Sequence, residues 1–481
     1  MDVPQSIREP RTPGVRNTLF GGALMACAVM LVVVASLAIL LSEQAWVGVI
    51  GLGASIGVIV AAIVPVRFLP GLAFATFLLL PITYMPQVNP FIGRYLSPAL
   101  FFLVVWFIRS RRTATGGVIP KSWLFLAILL LGWAVLSFIW SIDSSRSIAW
   151  TGTVACVFLG PALMARRAET STVAALSKSW LWIGLFLSAM AVAEGLTSTS
   201  FLGSLYSNTE SGAIGFNQVW SESRATTTLG HPLMNATFFA TTAAYAIMNS
   251  ARTKSRLSLY AGAACTAGSV FTVSRSAVTA LAVGLVVGVV AVAVTKAMSF
   301  GRKTVWTAAA VCAGLVVMNS PLIAARSQSA EGDSSSVLRA VLLDAAIRIS
   351  GEGNFIGAGA GASQSRATMA GMTLPFENSY AGVLVSLGGF GVAVFALLIA
   401  GLVLTGIRRG LPEVAAATTA FGVQIAAYPL VDNVPVALIV LGVLAYLGFG
   451  GGNFQSDVKA GAANLATLRR SSHVSPIQAH R

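Results

Sequence analysis

The chain is dominated by long runs of apolar residues that short polar segments separate. A helix needs about 20 apolar residues to cross the roughly 30 Å hydrocarbon core of a bilayer. Runs of this kind recur along almost the whole sequence. We interpret about fourteen of them as membrane-spanning helices: 20–41, 45–64, 68–85, 96–108, 123–141, 148–165, 179–195, 232–250, 257–273, 277–295, 304–319, 379–406, 413–430 and 434–451. The run at 96–108 is short and is also compatible with a re-entrant segment. The pattern predicts an all-α polytopic membrane protein with about 12–14 transmembrane helices.

The same pattern divides the chain into six parts. They are an N-terminal tail (1–19), an N-terminal transmembrane bundle (20–195), central transmembrane helices with a first long outer loop (196–319), a large extracytoplasmic loop (320–377), C-terminal transmembrane helices (378–451) and a tail with the composition of a disordered segment (452–481). Loops as long as 196–231 and 320–377 usually carry function in a compact protein. We expect short helices within the second loop.

Composition excludes several classes of protein. Hydrophobic residues make up 56% of the chain, charged residues 10%, and the mean hydropathy is +0.80. A soluble domain carries about 25% charged residues. The sequence therefore does not fit a soluble enzyme, a nucleic-acid-binding protein or a disordered scaffold.

The distribution of positive charge predicts the orientation. With a cytoplasmic N-terminus and alternating spans, 23 of the 31 lysines and arginines lie on the inner side, as the positive-inside rule requires. The net charge of +15 is then a topology signal, placed beside anionic lipid headgroups. We predict a multi-pass membrane protein with both termini in the cytoplasm. The outer cations are all arginines: Arg94, Arg146, Arg224, Arg275, Arg326, Arg339, Arg348 and Arg366.

Outer arginines suit phosphate binding, because the guanidinium group forms paired hydrogen bonds with phosphate oxygens. A proteome rich in arginine would also explain why the outer cations are arginines and not lysines. No metal motif accompanies them, since only His231 of the three histidines lies outside the C-terminal tail. We therefore predict neither a metal nor a cofactor. The glycines at 357, 359 and 361 lack the strand and helix of a dinucleotide-binding motif, and we interpret them as a tight turn.

Four short outer segments contain the candidate functional residues. They are 223–235 with Arg224 and His231, 272–276 with Arg275, 336–357 with Arg339 and Arg348, and 375–380 with Glu377, Asn378 and Tyr380. Arg275 lies at the hydrocarbon edge, where a charge either serves function or extends to the headgroups. In the third segment, Val341, Leu342, Ala345 and Ile349 recur at helical spacing and predict a helix lying on the membrane face.

The four segments, in this order, resemble the O-antigen ligase and polymerase superfamily of bacterial membrane glycosyltransferases. The matching residues are Arg224, Gly230 and Pro232, then Ser274, Arg275 and Ser276, then Arg339 with Gly357, Gly359 and Gly361, and finally Asn378, Tyr380, Gly388 and Gly391. The resemblance covers about residues 200–410. The chain departs from the family at four places. Glu377 stands where members have a histidine, and Ser386 or a neighbour stands where they have a glutamate. The asparagine after Pro232 is displaced to Asn235, and Asn354 and Phe355 precede the glycine turn where members have a proline.

The resemblance implies a reaction and roles for these residues. A glycan would pass from an undecaprenyl-diphosphate carrier to a hydroxyl of a glycan or lipid acceptor on the outer face of the bacterial inner membrane. The configuration at the anomeric carbon would invert, and no metal would take part. Arg224, Arg275 and Arg339 would stabilise the diphosphate leaving group. Glu377, oriented by Asn378 or Tyr380, would accept the acceptor proton. His231, Arg348 and Arg366 would contact substrate, and a flippase and a chain-length protein would be partners.

Other interpretations stay open. Glu377 could instead cap the following helix or pair with a loop arginine. A lipid-linked oligosaccharide flippase would also have about fourteen spans, but transporters place ionisable residues within discontinuous spans. Here Arg275 and Glu194 lie at the ends of spans. A non-catalytic envelope assembly protein would explain the missing histidine. Polymerase and ligase are not distinguished, nor are the sugar and the acceptor.

Overall fold

The computed structural model describes residues 56–80, 95, 97–110, 117–202, 224–294, 330–372 and 374–450. These ranges contain helices and no strand, which confirms the predicted all-α polytopic membrane fold. The predicted spans 20–41 and 304–319, most of the span at 45–64 and the tail 452–481 lie outside the described residues. The predicted number of spans therefore stays a prediction.

The chain divides into two compact units, and the boundary in the sequence falls between Leu69 and Pro70. The described part of the first contains helical residues 56–63 and the 3-10 turn Val66–Phe68. The helices that follow, in chain order, are α1 (Leu69–Leu79), α2 (Pro98–Arg109), α3 (Lys121–Leu136), α4 (Ser144–Val154), α5 (Gly160–Met164), α6 (Thr170–Thr197), α7 (Pro232–Thr253), α8 (Arg256–Phe271), α9 (Arg275–Val294), α10 (Ala330–Glu352), α11 (Ser363–Met369), α12 (Ser379–Arg408), α13 (Pro412–Gln424), α14 (Leu430–Asn433) and α15 (Ile439–Gly450).

Five helical stretches of the described residues are long and apolar enough to cross a membrane. They are Lys121–Ile139, Ser144–Arg167, Thr170–Thr197, Arg275–Val294 and Ser379–Arg408, and each coincides with a predicted span. The second continues from α4 through a π-helical turn at Ala155–Leu159 into α5. Helix α2 has 12 residues and is about 18 Å long, which is shorter than the hydrocarbon core. That length agrees with the re-entrant interpretation of 96–108.

Helix α7 lies at the centre of the second unit and packs against α8, α9 and α13. It is rich in alanine, threonine and asparagine, and most of its side chains are buried. Small residues also allow two of its neighbours, α9 and α13, to approach each other closely. A Cβ atom on Gly284 of α9 would lie 2.6 Å from the carbonyl oxygen of Ala416 on α13. Close packing of small residues is a usual source of helix association in membranes.

Two polar contacts join helix ends that lie far apart in the chain. Arg252 forms a two-point ion pair with Glu413, with Nη2–Oε1 at 2.6 Å and Nε–Oε2 at 3.0 Å. The Trp150 indole donates to the carbonyl oxygen of Val431 at 3.0 Å. Each contact joins two segments that the sequence predicts to lie on the same side of the membrane. The alternation of spans and the side that faces the cytoplasm stay predictions.

The loop helix α10 packs against the protein. Its residues Leu342, Ala345 and Ile349 are buried, and Ile349 packs with Ala346 in a cluster that includes Ala367 of α11 and Ala381 and Val385 of α12. Val341 was predicted to share this face, but it is 58% exposed. The prediction that this face lies on the membrane was therefore wrong. Helical spacing identified an apolar face without identifying what covers it.

Helix α12 is broken at Gly388, whose backbone has φ 71° and ψ −175°. The loop satisfies the backbone groups that the break exposes. Ala358 N donates to Val385 O and Gly359 N to Ser386 O, each at 2.9 Å, and Gly389 N donates to Phe355 O at 3.0 Å. Inside a membrane protein such groups need internal partners. The loop is therefore hydrogen-bonded to the break in α12.

The glycines of the loop form the tight turn that the sequence predicted. Gly357, Gly359 and Gly361 all have positive φ, at 98°, 111° and 69°. A Cβ atom on Gly357 would lie 2.4 Å from Ser386 O, and one on Gly361 would lie 2.8 Å from the Trp150 side chain. These glycines therefore serve close packing against α12 and α4.

Substitution of Gly388 by alanine is expected to destabilise the protein strongly. The new Cβ would lie 2.0 Å from Phe355 O, and the backbone conformation alone costs about 1–3 kcal/mol for a residue with a side chain. Gly389→Ala is the matched control, because no atom lies within 4 Å of its added Cβ. Thermal unfolding of both purified variants in detergent tests this. Equal melting temperatures would contradict the importance of the break.

Candidate functional site

Two of the residues predicted to be catalytic are in contact. Arg339 on α10 donates from Nε to Oε2 of Glu377 at 3.0 Å, immediately before α12 begins. The side chains are 35% and 32% exposed. The structure thus contains the pairing of Glu377 with a loop arginine that the sequence left open. Partial exposure leaves both groups accessible from outside the bundle.

Asn378 and Tyr380 hold the start of α12. The Asn378 side chain caps the helix by accepting hydrogen bonds from the backbone N–H groups of Tyr380 at 2.8 Å and Ala381 at 3.3 Å. Such a cap satisfies amide groups that a helix terminus leaves free. The Tyr380 hydroxyl donates to Gly422 O at 2.9 Å. The contact that orients Glu377 therefore comes from Arg339, while Asn378 and Tyr380 bind backbone groups.

Arg224 and His231 belong to a second group, in the segment before α7. Arg224 is 8% exposed and donates from Nε to the carbonyl oxygen of Thr272 at 2.9 Å. His231 caps α7, with Nδ1 accepting from Leu233 N at 3.2 Å, and its ring stacks on Tyr428. With Nδ1 as acceptor, the proton is assigned to Nε2. Desolvation, with the nearby charge of Arg224, lowers the pKa of His231 to about 3.

His231 is therefore neutral at physiological pH and does not act there as a cation for a diphosphate. The carboxylate that holds this segment is Glu194, which the sequence analysis noted only as an ionisable residue at the end of a span and did not assign to the site. Glu194 accepts from Thr226 N and Thr227 N at 2.9 Å through Oε2, and from Phe201 N at 3.1 Å through Oε1. It is 2% exposed. Three backbone donors thus surround a buried carboxylate at the end of α6.

The other three candidate arginines differ in their surroundings. Arg275 is the first residue of α9, is half-buried, and follows the turn whose Thr272 carbonyl binds Arg224. Arg348 is exposed on α10. Arg366 donates from Nη2 to Glu352 at 3.3 Å. Arg275 therefore lies near the Arg224 group, whereas Arg348 and Arg366 lie on the two loop helices.

The chain between α13 and α15 joins these groups. The Tyr428 ring lies 4.9 Å from the His231 ring, centroid to centroid, and the Tyr428 carbonyl accepts from the Ser379 hydroxyl at 2.6 Å. Ser379 is the first residue of α12 and follows Asn378. Its hydroxyl also accepts from the backbone of Leu430 at 2.8 Å. The Arg224 and Glu377 groups thus meet at a helix break that no motif had marked.

Asp432, on the short helix α14, is a site residue that the sequence reasoning missed. It is 3% exposed, and its Oδ2 accepts from the Ser386 hydroxyl at 2.5 Å and from Ser363 N at 3.2 Å. Its Oδ1 has no hydrogen-bond partner. Burial raises the pKa of Asp432, and the hydrogen bonds from Ser363 and Ser386 and the charge of Arg146 oppose this only in part. A single acid within an apolar segment was the available signal.

The arrangement offers guanidinium groups and carboxylates in two groups, which the chain between α13 and α15 connects. Among the described residues, no group of three or more histidine, cysteine, aspartate or glutamate side chains could hold a metal ion. Arg339 and Glu377 are partly exposed, whereas Arg224, Glu194 and Asp432 are buried and bind backbone or hydroxyl groups. The Arg339–Glu377 pair is exposed enough to contact a substrate directly, and the three buried residues hold the chain segments around this pair.

No protein-family model matches the chain, and neither a curated protein nor a solved structure is significantly similar to it. The resemblance to the O-antigen ligase and polymerase superfamily therefore stays a prediction from the motifs.

Asp432 is expected to make stability depend on pH. A carboxyl with a raised pKa binds its proton more tightly in the folded state than in the unfolded state. Its contribution to the free energy of unfolding is complete below the unfolded pKa of about 4. Above that pH the folding equilibrium constant falls by up to about tenfold per pH unit until the folded pKa is passed. We expect Asp432→Asn to lose this decline, because asparagine does not titrate. Thermal unfolding of both proteins between about pH 4 and pH 8 tests this, and parallel curves would contradict it.

Proposed function

We propose that the protein is a membrane glycosyltransferase, a polysaccharide polymerase or ligase. It transfers a glycan from an undecaprenyl-diphosphate carrier to an acceptor hydroxyl on the outer face of the bacterial inner membrane. The observation that carries this proposal is the partly exposed Arg339–Glu377 pair at the start of the last long helix. It combines a phosphate-binding group and a proton acceptor within one contact, as the motif resemblance implies.

The geometry of the pair leaves each group free to act. Arg339 contacts Glu377 through Nε, and this leaves its two Nη groups for phosphate oxygens. Glu377 uses Oε2, so Oε1 remains for a substrate hydroxyl. An arginine beside the diphosphate stabilises the charge that develops as the leaving group departs.

In the proposed reaction, the acceptor oxygen attacks the anomeric carbon of the glycan. The new carbon–oxygen bond forms as the bond between that carbon and the diphosphate oxygen breaks, and the configuration inverts. The acceptor proton passes to Glu377, and the electron pair of the broken bond leaves with the undecaprenyl diphosphate. Arg275 assists at the diphosphate, while the buried Arg224 positions the turn that precedes Arg275.

A transporter of lipid-linked oligosaccharide is the second candidate. Transporters build binding sites at discontinuous helices that contain ionisable residues. The structure has a break at Gly388 in α12 and another between α13 and α15, with the buried Asp432 linking the two. This observation favours transport more than the sequence alone did.

Transfer of glycan by the purified protein in nanodiscs, from undecaprenyl-diphosphate oligosaccharide, distinguishes the candidates. We expect Glu377→Gln to lower the transfer rate about 10²- to 10⁴-fold, because it removes the general base and keeps the side-chain shape. Asp344→Asn is the control, since Asp344 is an exposed acid on the same helix as Arg339. The control is expected to retain full activity.

Equal rates for wild type and Glu377→Gln would show that another group accepts the proton. If wild type binds the lipid-linked donor and moves it across liposome membranes without transfer, the transporter is the better assignment. Binding with neither transfer nor movement would reject both activities.

A further inference from the structure

We infer that the turn at Asn354–Ile356, which ends the loop helix α10, inserts into the outer interface of the bilayer and anchors the loop there. The inference concerns a surface and does not depend on the proposed reaction. Its occupant is the boundary between lipid headgroups and acyl chains. Aromatic and aliphatic side chains at that depth are a usual anchor of membrane proteins.

The turn has an unusual backbone that presents large apolar side chains outward. Asn354 and Phe355 have φ of 53° and 57°, in the left-handed region that bulky residues rarely adopt. Phe355 and Ile356 are each 47% exposed. Strained backbone of this kind persists where the surroundings fix it and often marks a functional segment. Here the bond from Gly389 N to Phe355 O fixes it.

An apolar stripe leads along α10 to this turn. Leu343 and Ile347 are 42% and 48% exposed and lie four residues apart on one helix face. Gly351 is the next position on that face, and a Cβ atom there would lie 3.7 Å from the Phe355 ring. The stripe is distinct from the buried face of α10. Arg348, which is also exposed, supplies a charge that can reach lipid phosphate.

The turn is continuous with the lipid-facing ends of spanning helices. Phe390 follows the break in α12, is 43% exposed, and lies 4.9 Å from the Trp133 ring, centroid to centroid. The Trp133 indole donates to Leu387 O at 2.8 Å, beside the residues that bind the turn. Ile139, at the end of the same spanning stretch as Trp133, is 79% exposed. Trp140 directly follows this stretch, and its ring lies 5.6 Å from the Trp133 ring, centroid to centroid. Tryptophan at the end of a span typically lies at headgroup depth, and this continuity favours lipid as the occupant.

Spin-label accessibility in the full-length protein tests the inference. All four native cysteines are replaced by alanine, and single cysteines are introduced as Ile356→Cys, Ile139→Cys or Thr368→Cys. The labelled proteins are reconstituted in phosphatidylethanolamine and phosphatidylglycerol vesicles. Position 139 is the lipid reference, and position 368 is an exposed loop position on α11. Collisions with oxygen are compared with collisions with a water-soluble nickel chelate.

We expect the oxygen-to-nickel ratio at position 356 to match that at 139 and to exceed that at 368 several-fold. A ratio equal to that at 368 would overturn the inference, because the turn would then lie in water. Spin–spin broadening at 356 in singly labelled protein would also overturn it, since a second copy would then cover the turn.

A second measurement moves the label away from the turn, in case a spin label at position 356 prevents folding. A label at position 343 reports the depth of the stripe, first with the native turn and then with Phe355→Ser and Ile356→Ser combined. We expect the oxygen-to-nickel ratio at 343 to fall when the turn is made polar. An unchanged ratio would show that the turn does not anchor the loop.

Discussion

The arrangement of the loop helices α10 and α11 depends on a set of backbone hydrogen bonds at the break in α12. A helix that breaks among buried residues loses partners for its amide and carbonyl groups, and each unsatisfied group costs several kcal/mol in an apolar environment. The glycine turn supplies those partners through Ala358, Gly359 and the carbonyl of Phe355. The loop conformation and the break therefore require each other.

The functional groups follow from this arrangement. Because the loop is bound to α12, helix α10 places Arg339 beside the residue that precedes α12, and Glu377 accepts its hydrogen bond. The first turn of α12 also binds the break between α13 and α15 through Ser379. The buried Asp432 adds a connection from that break to the loop backbone at Ser363. The exposed pair thus rests on a buried polar framework.

Hydropathy alone predicted the fold class and the five long spans of the described chain, because membrane crossing imposes a length and a composition on each helix. It did not predict the break at Gly388, which lies within an uninterrupted apolar run. It also assigned the apolar face of α10 to lipid. Spacing reveals that a face is apolar, but protein and lipid are equally apolar partners. Of the four residues predicted to share the face, Val341 alone is exposed.

The candidate site was predictable where residues follow one another in a motif. The motif order selected Arg339 and Glu377 from distant segments, and the structure brings them into contact. Glu194, Tyr428 and Asp432 were missed because their partners are backbone groups or residues far along the chain. No spacing rule in a single sequence encodes such contacts. Their common signal is a polar group within an apolar environment.

Helix α7 has a consequence for how the protein is made. Its alanine, threonine and asparagine content suits burial among helices. Although 232–250 was predicted as a span, α7 is not among the five described helices that are long and apolar enough to cross a membrane. A segment of this kind gains little from entering lipid by itself. It follows α6 and is joined to α8 by a turn of two residues, so its integration during synthesis depends on neighbouring helices that shield its polar groups. Membrane insertion and tertiary packing are therefore one event for the centre of this bundle.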